Sequence, residues 1–423
     1  MRSPGSYAAT SLVVASMVGT GAFTSLGYQL FDLDSGPQIL LLWLIGGIIA
    51  LCGALCYAAI AKALPQSGGE HHFLGELYHP SLGFMAGVLS AISGFAAPTA
   101  ITAMAFGAYL HSAIPGIHPM LAGITVIIIG TAAHMASATT SARVQTAATG
   151  LKLALIVAFL IAAIILPGKG DIRWAIEPAT DLDRILQPGF AIALIYVLYA
   201  YSGWNAAVYG LEEWKQPTVT VRRALIIGTS LVTVLYIALQ AAFLHAAPVS
   251  ELRGVIEIGH VAATSLFGEK AAAPIAGLFA LGLFASVSAM LWAGPRVLAA
   301  MGRSTPALST FTPKSGVPRV ALYFQMSLAL VLVTSTGFAS LVTYTLIGLT
   351  LSTMLTVAGV FILHRRSPET MPRILLLPAT IFLAMTAFIV VRSITTEPVP
   401  SLIGIGTLLI TAALWFPLHQ KRS

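Results

Sequence analysis

A chain of 423 residues that is 57% hydrophobic and 9% charged has too few charges to cover the surface of a soluble domain, where about a quarter of residues are charged. The net charge of +7 does not point to nucleic acid, because the basic residues sit at the ends of apolar runs and form no single basic segment. The composition predicts an all-α polytopic membrane protein: Ile39 to Ala61 carries no charge, nor does Leu153 to Gly168.

In chain order the apolar runs predict twelve spans, over roughly 7–31, 37–61, 82–113, 119–137, 143–166, 188–213, 222–247, 271–300, 318–336, 338–363, 372–392 and 400–418. The third and eighth are long enough to imply tilt or extension beyond the bilayer. The first starts near Tyr7 and is too long for the apolar core of a cleavable signal peptide. Cys52 and Cys56 lie four apart inside one run and read as packed core thiols. Pro65 to Pro80 reads as a Gly- and His-rich loop, in which His71 and His72 are expected in solvent and not on a metal. Longer loops of mixed charge fall at about 167–187 and 248–270, with short surface helices expected between Glu251 and Phe267. No stretch is long enough for a separate soluble domain, which argues against an enzyme with a catalytic head.

Charge asymmetry orients the chain. With the N-terminus inside, fifteen of the 22 Lys and Arg residues fall on the cytoplasmic side and six outside, with Lys152 left within a span. Both termini are therefore expected in the cytoplasm of a cell membrane protein.

Three features break the apolar pattern. The first span carries Val18-Gly19-Thr20-Gly21-Ala22-Phe23 in its middle, and the sixth carries Tyr199-Ala200-Tyr201-Ser202-Gly203-Trp204-Asn205. Each glycine weakens a helix interior by about 1 kcal/mol relative to Ala. Unwound backbone inside a membrane needs protein or a watery cavity around it, and breaks in corresponding halves mark the site of an inverted-repeat carrier. Close helix packing is the alternative use of such glycines. Asn205 is the only asparagine in the chain and lies in an apolar span, so it either bonds a neighbouring helix or meets substrate. Lys152 lies nine residues beyond Arg143, about 13 Å along a helix. It either snorkels back to the surface or faces the broken helices.

At these residues the chain resembles the amino acid–polyamine–organocation superfamily, within it the neutral amino acid permeases and the light chains of heteromeric amino acid transporters. The resemblance covers about ten spans. It rests on Gly19-Thr20-Gly21-Ala22-Phe23, Pro65 with Ser67-Gly68-Gly69, Lys152, Tyr199 to Asn205 with Glu212-Glu213, and Ala293-Gly294-Pro295-Arg296-Val297. It implies a five-plus-five inverted repeat, residues 1–166 against 188–363, with two extra helices over 372–418. It also implies a gating aromatic at Tyr199 and an internal cation, Lys152, at the position where sodium-coupled relatives hold sodium against hydroxyls such as Ser286 and Ser288. His71 and His72 depart from the aromatic residues usual after the Ser-Gly-Gly motif.

The implied site is built mainly from backbone. The N–H groups of Gly19, Thr20 and Gly21 open a half-helix suited to a carboxylate. Carbonyls near Ser16, Met17 and Val18, and from Tyr199, Ala200 and Tyr201 to Ser202, are suited to an ammonium group. Side chains from spans three, six, eight and ten would complete the pocket. With no acidic residue inside spans three, eight or ten, the expected cargo is a small or aliphatic neutral L-amino acid, moved without sodium, a metal or any cofactor. Exchange, proton coupling and facilitated diffusion stay open, as does a homo-oligomer. A carrier of cationic amino acids or polyamines and a non-transporting receptor are the alternatives.

Overall fold

The structure, a computed structural model, describes residues 5–136, 138–313 and 317–419. Arg2, Lys314, Lys421 and Arg422, which entered the charge asymmetry, lie outside them. Among the described residues the fold is all-helical, with one isolated bridge between Ser35 and Arg173.

The first apolar stretch is two helices, α1 (Ser6–Met17) and α2 (Gly21–Gln29). Next come α3 (Gly36–Ala63), the short α4 (Glu70–Leu77), α5 (Pro80–Leu89) and α6 (Ala97–Ala113), the last two joined by a π-helical turn over Ser90–Ala96. The wider turn precedes Pro98, which has no N–H to return to the turn before it. Then follow α7 (Pro119–Ala136), α8 (Ala138–Ile165), α9 (Pro178–Leu186) and α10 (Pro188–Tyr201). Only single 3₁₀ turns, Ala206–Val208 and Leu211–Glu213, separate α10 from α11 (Pro217–Ala246). The chain continues through α12 (Val249–Leu252), α13 (Ile258–Phe267), α14 (Glu269–Ser304), α15 (Arg319–Ser335), α16 (Phe338–Arg366), α17 (Leu376–Thr396) and α18 (Pro398–His419).

Nine helical stretches among the described residues are long and apolar enough to cross a membrane, and shorter apolar helices cover 119–135, 150–165, 258–267 and 319–335. The helix starts follow local chemistry. Ser35 Oγ accepts from Gln38 N–H at 3.3 Å with Pro37 in the first turn of α3, and proline opens α5, α9, α10, α11 and α18. Helices at the rim turn apolar side chains outward, Ile164 and Val234 among them, as a lipid-facing surface does.

Contacts define two ends. At one, Ser6 meets Thr220, Gly68 N–H donates to the Tyr209 carbonyl, and His79 packs on Trp415. This terminal end holds both the start and the finish of the described chain. At the other, Gly36 N–H donates to the Arg173 carbonyl and Gly254 N–H to the Gly27 carbonyl. Residues 70–77, read from the sequence as loop, form α4, and His71 Nδ1 lies 2.8 Å from the Gly83 carbonyl. A glutamate in the first turn and a buried face of Glu70, Phe73, Leu74 and Leu77 account for the helix. At the centre, α2 and α10 are almost wholly buried, and the start of α2 meets the end of α10.

Candidate functional site

The two interruptions meet. Val18 leaves the helical region (φ −70°, ψ 81°), and α2 resumes at Gly21. Ser202 is extended (φ −56°, ψ 150°), and Gly203 follows at φ +95°, a conformation that costs any residue with a Cβ. A Cβ on Gly203 would lie 2.8 Å from the Ser16 carbonyl oxygen, and one on Gly21 would lie 2.5 Å from Ala200 Cα. These two glycines let the breaks touch. Gly19 is different: a Cβ there would meet nothing closer than 3.7 Å, so its backbone faces open space.

Side chains repair part of the freed backbone. Tyr236 on α11 donates its hydroxyl toward the Met17 carbonyl at 2.5 Å and the Ala200 carbonyl at 3.0 Å, one from each break. Lys152 on α8 is buried, and its ammonium donates to the Val18 carbonyl and, at 3.3 Å, to Ser286 Oγ on α14. The lysine thus joins the first break to α14. Gln240 Nε2 donates to the Ala22 carbonyl at 3.2 Å, and the Thr20 and Thr102 hydroxyls lie 2.6 Å apart. The N–H groups of Gly19, Thr20 and Gly21 precede the first full turn of α2, where a helix has no carbonyl of its own to offer them.

A cavity of about 30 Å³ lies beside the two breaks. Of the residues singled out in the sequence, Ser16, Met17, Gly19, Thr20, Gly21, Tyr199, Ala200, Ser202 and Ser286 line it. Ala15, Pro98, Thr102, Ala289 and Met290 complete the wall, from α1, α6 and α14; α16, expected to contribute, does not. Val18 is buried behind the wall, with its carbonyl on Lys152. Tyr201 turns away to donate to the Trp43 carbonyl at 2.9 Å. Gly203 packs on Ser16, and Asn205 points to Glu70 instead of the cavity. Ser288 is 2.9 Å from His134 Nε2, apart from the Lys152 contact. Tyr236, Thr102 and Met290 had no sequence signal, since each is one apolar or hydroxyl residue within a helix full of them.

The amino acid permease family model matches residues 5–417. The chain belongs to that family. The large neutral amino acids transporter small subunit 2 of Mus musculus is 29% identical, over 97% of this permease and 80% of its own length. The b(0,+)-type amino acid transporter 1 of Mus musculus is 25% identical, over 92% and 81%. The serine/threonine exchanger SteT of Bacillus subtilis is 28% identical, over 85% and 82%. The permease is accordingly a multi-pass membrane transporter and not an enzyme.

Proposed function

We propose that this permease exchanges small or aliphatic neutral L-amino acids across a cell membrane without sodium. The observation that carries the reading is the Lys152 ammonium, bonded to the Val18 carbonyl at the first break and to Ser286 on α14. A fixed cation there removes the need for a bound one. It also opposes a second positive charge, which disfavours arginine or a polyamine as cargo. The first-break N–H groups would take the substrate carboxylate. Its ammonium would go to carbonyls of Ser16 and the α10 end, since Tyr236 and Lys152 already engage Met17, Val18 and Ala200. Walls of Pro98, Ala289, Met290 and Tyr199 suit a short uncharged side chain, and the small cavity has room for only a few waters before its walls move. The names of the mouse and Bacillus relatives, a neutral amino acid transporter and a serine/threonine exchanger, support neutral cargo and exchange.

The architecture that goes with this reading has twelve spans. They form two inverted five-span repeats, residues 1–166 and 188–363, and two further helices over 372–418. The terminal end lies in the cytoplasm, in keeping with its excess of Lys and Arg.

The test is counterflow in proteoliposomes loaded with alanine, serine or leucine. Exchange is expected to be indifferent to replacing sodium with choline and unaffected by excess arginine or putrescine. A sodium requirement, or strong inhibition by either cation with none by the neutral amino acids, would overturn the reading.

A further inference from the structure

The terminal end holds a buried acid that the transport site does not use. Glu70 opens α4 and is 3% exposed. Its Oε1 accepts from the Tyr57 hydroxyl at 2.8 Å and from the Asn205 amide. The Tyr209 hydroxyl belongs to the same cluster, 3.5 Å from that amide. Oε2 is buried with no hydrogen-bond partner, and no Lys, Arg or His lies within 4 Å of the carboxylate, among the described residues. A buried carboxylate without a cation is costly, more so than an acid in the first turn stabilises the start of a helix.

Its position explains the cost. On one side, α4 is tied to α5 and α16: His71 contacts the Gly83 carbonyl, and the Tyr78 hydroxyl donates to the Leu355 carbonyl at 2.7 Å. On the other side, the two 3₁₀ turns after Gly203 pack on α1 and α11. Three polar contacts cross between them. Ser67 and Glu212 exchange bonds in the open (3.0 and 3.4 Å), Gly68 N–H donates to the Tyr209 carbonyl at 3.2 Å, and Glu70 holds Asn205. Only the last is a buried, charge-assisted side-chain bond, the strong kind. It grips the chain two residues beyond the glycine at which α10 breaks.

We propose that Glu70 is a positioning residue for transport: acting through Asn205, its carboxylate latches the segment beyond the Gly203 break onto α4 and sets how readily the terminal end of the site opens. The proposal rests on the transport reading above and adds the element that controls access. Asn205 serves here as the donor of the latch, not as a wall of the cavity.

The test separates the latch from transport. Ala206 is partly exposed and next to Asn205, whereas Cys56 is fully buried and Cys52 nearly so. A cysteine at position 206 can therefore be followed with a membrane-impermeant maleimide in liposomes, without any substrate. Glu70→Ala is expected to speed labelling from the terminal side about fivefold, and to cut maximal exchange about tenfold with KM within about twofold. Glu70→Gln keeps an acceptor and should fall between. Asn205→Asp sets two carboxylates together and should speed labelling as Glu70→Ala does, while the pair Glu70→Gln with Asn205→Asp restores a donor and an acceptor in reverse and should bring labelling back toward wild type. Unchanged labelling and exchange in Glu70→Ala overturns the proposal. If Glu70→Ala does not fold, the reversed pair decides, and no recovery over Asn205→Asp alone overturns it. Labelling that responds in a protein that exchanges no amino acid would sink the transport reading and leave the latch.

Discussion

The two broken helices share the Tyr236 hydroxyl and are otherwise mended in opposite ways. The first break is three residues long, resumes as α2, and is closed from outside by donors, the Lys152 ammonium and the Tyr236 hydroxyl, placed on freed carbonyls. The second never resumes as an α-helix. Past Gly203 it runs through two 3₁₀ turns to Pro217; it shares the Tyr236 hydroxyl, on the Ala200 carbonyl, and the support it has to itself is an acceptor, the Glu70 carboxylate on Asn205. A cation therefore serves one break and an anion the other. Both helices end in bare carbonyls, but only the second, after its turn, presents an amide side chain that calls for an acceptor.

The comparison is broken most severely at Lys152. Lys152→Ala leaves the Val18 carbonyl and Ser286 without their donor, at about 1–3 kcal/mol for each unsatisfied buried group. Counterflow should fall tenfold or more while detergent-solubilised protein still elutes as a single folded species. Normal exchange by this variant would reduce the lysine to a bystander.

Glycine substitutions sharpen the contrast within the first break. Gly21→Ala drives a Cβ into Ala200 backbone and should both lower the melting temperature and stop exchange, because neither helix can retreat cheaply. Gly19→Ala meets no atom closer than 3.7 Å and should fold as well as wild type, while raising KM by narrowing the cavity. Equal melting temperatures for the two variants would contradict the close approach of α2 to α10.

Tyr236→Phe is a milder cut, since it removes one hydroxyl that serves both breaks. A loss of about 1–3 kcal/mol in stability is expected, read as a lower melting temperature. The effect should be nearly additive with Glu70→Gln, which touches the second break only from the far side.

The smallest effect is expected at the end opposite the termini, where Arg173 meets Asp181 at 2.6 Å and Gln38 Nε2 donates to the same carboxylate at 2.8 Å. The Arg173 guanidinium bonded to Asp181 holds that carboxyl below the usual carboxylate range. A depressed pKa gives stability that is present above the unfolded value of 3.8 and is lost as pH falls through the folded value. Asp181→Asn should therefore melt slightly below wild type at neutral pH, and the gap should close as the pH is taken below the normal aspartate range. A gap that widens on acidification would reverse the assigned sign.

The apolar runs, the placement of both breaks and the oddity of Lys152 were legible in the sequence. Each is local: span length follows from bilayer thickness, helix interruption from glycine's backbone freedom, and a charge inside an apolar run stands out by composition alone. Eight of the residues at those breaks line the cavity, and Ser286, which the family resemblance suggested, joins them. Asn205 stood out equally well, yet its direction could not be read, because its partner lies 135 residues away on α4, a helix that looked like loop.

What only the tertiary structure decided is which groups complete the breaks. Tyr236 reaches Met17 across 219 residues of sequence, Thr102 reaches Thr20 across 82, and Lys152 reaches Val18 across 134. In a chain this apolar, a tyrosine that caps a bare carbonyl and a tyrosine that only fills space have the same sequence surroundings. Their roles separate when helix packing sets one hydroxyl against an unsatisfied backbone group and leaves the other elsewhere, and that depends on how α11 lies against α1 and α10.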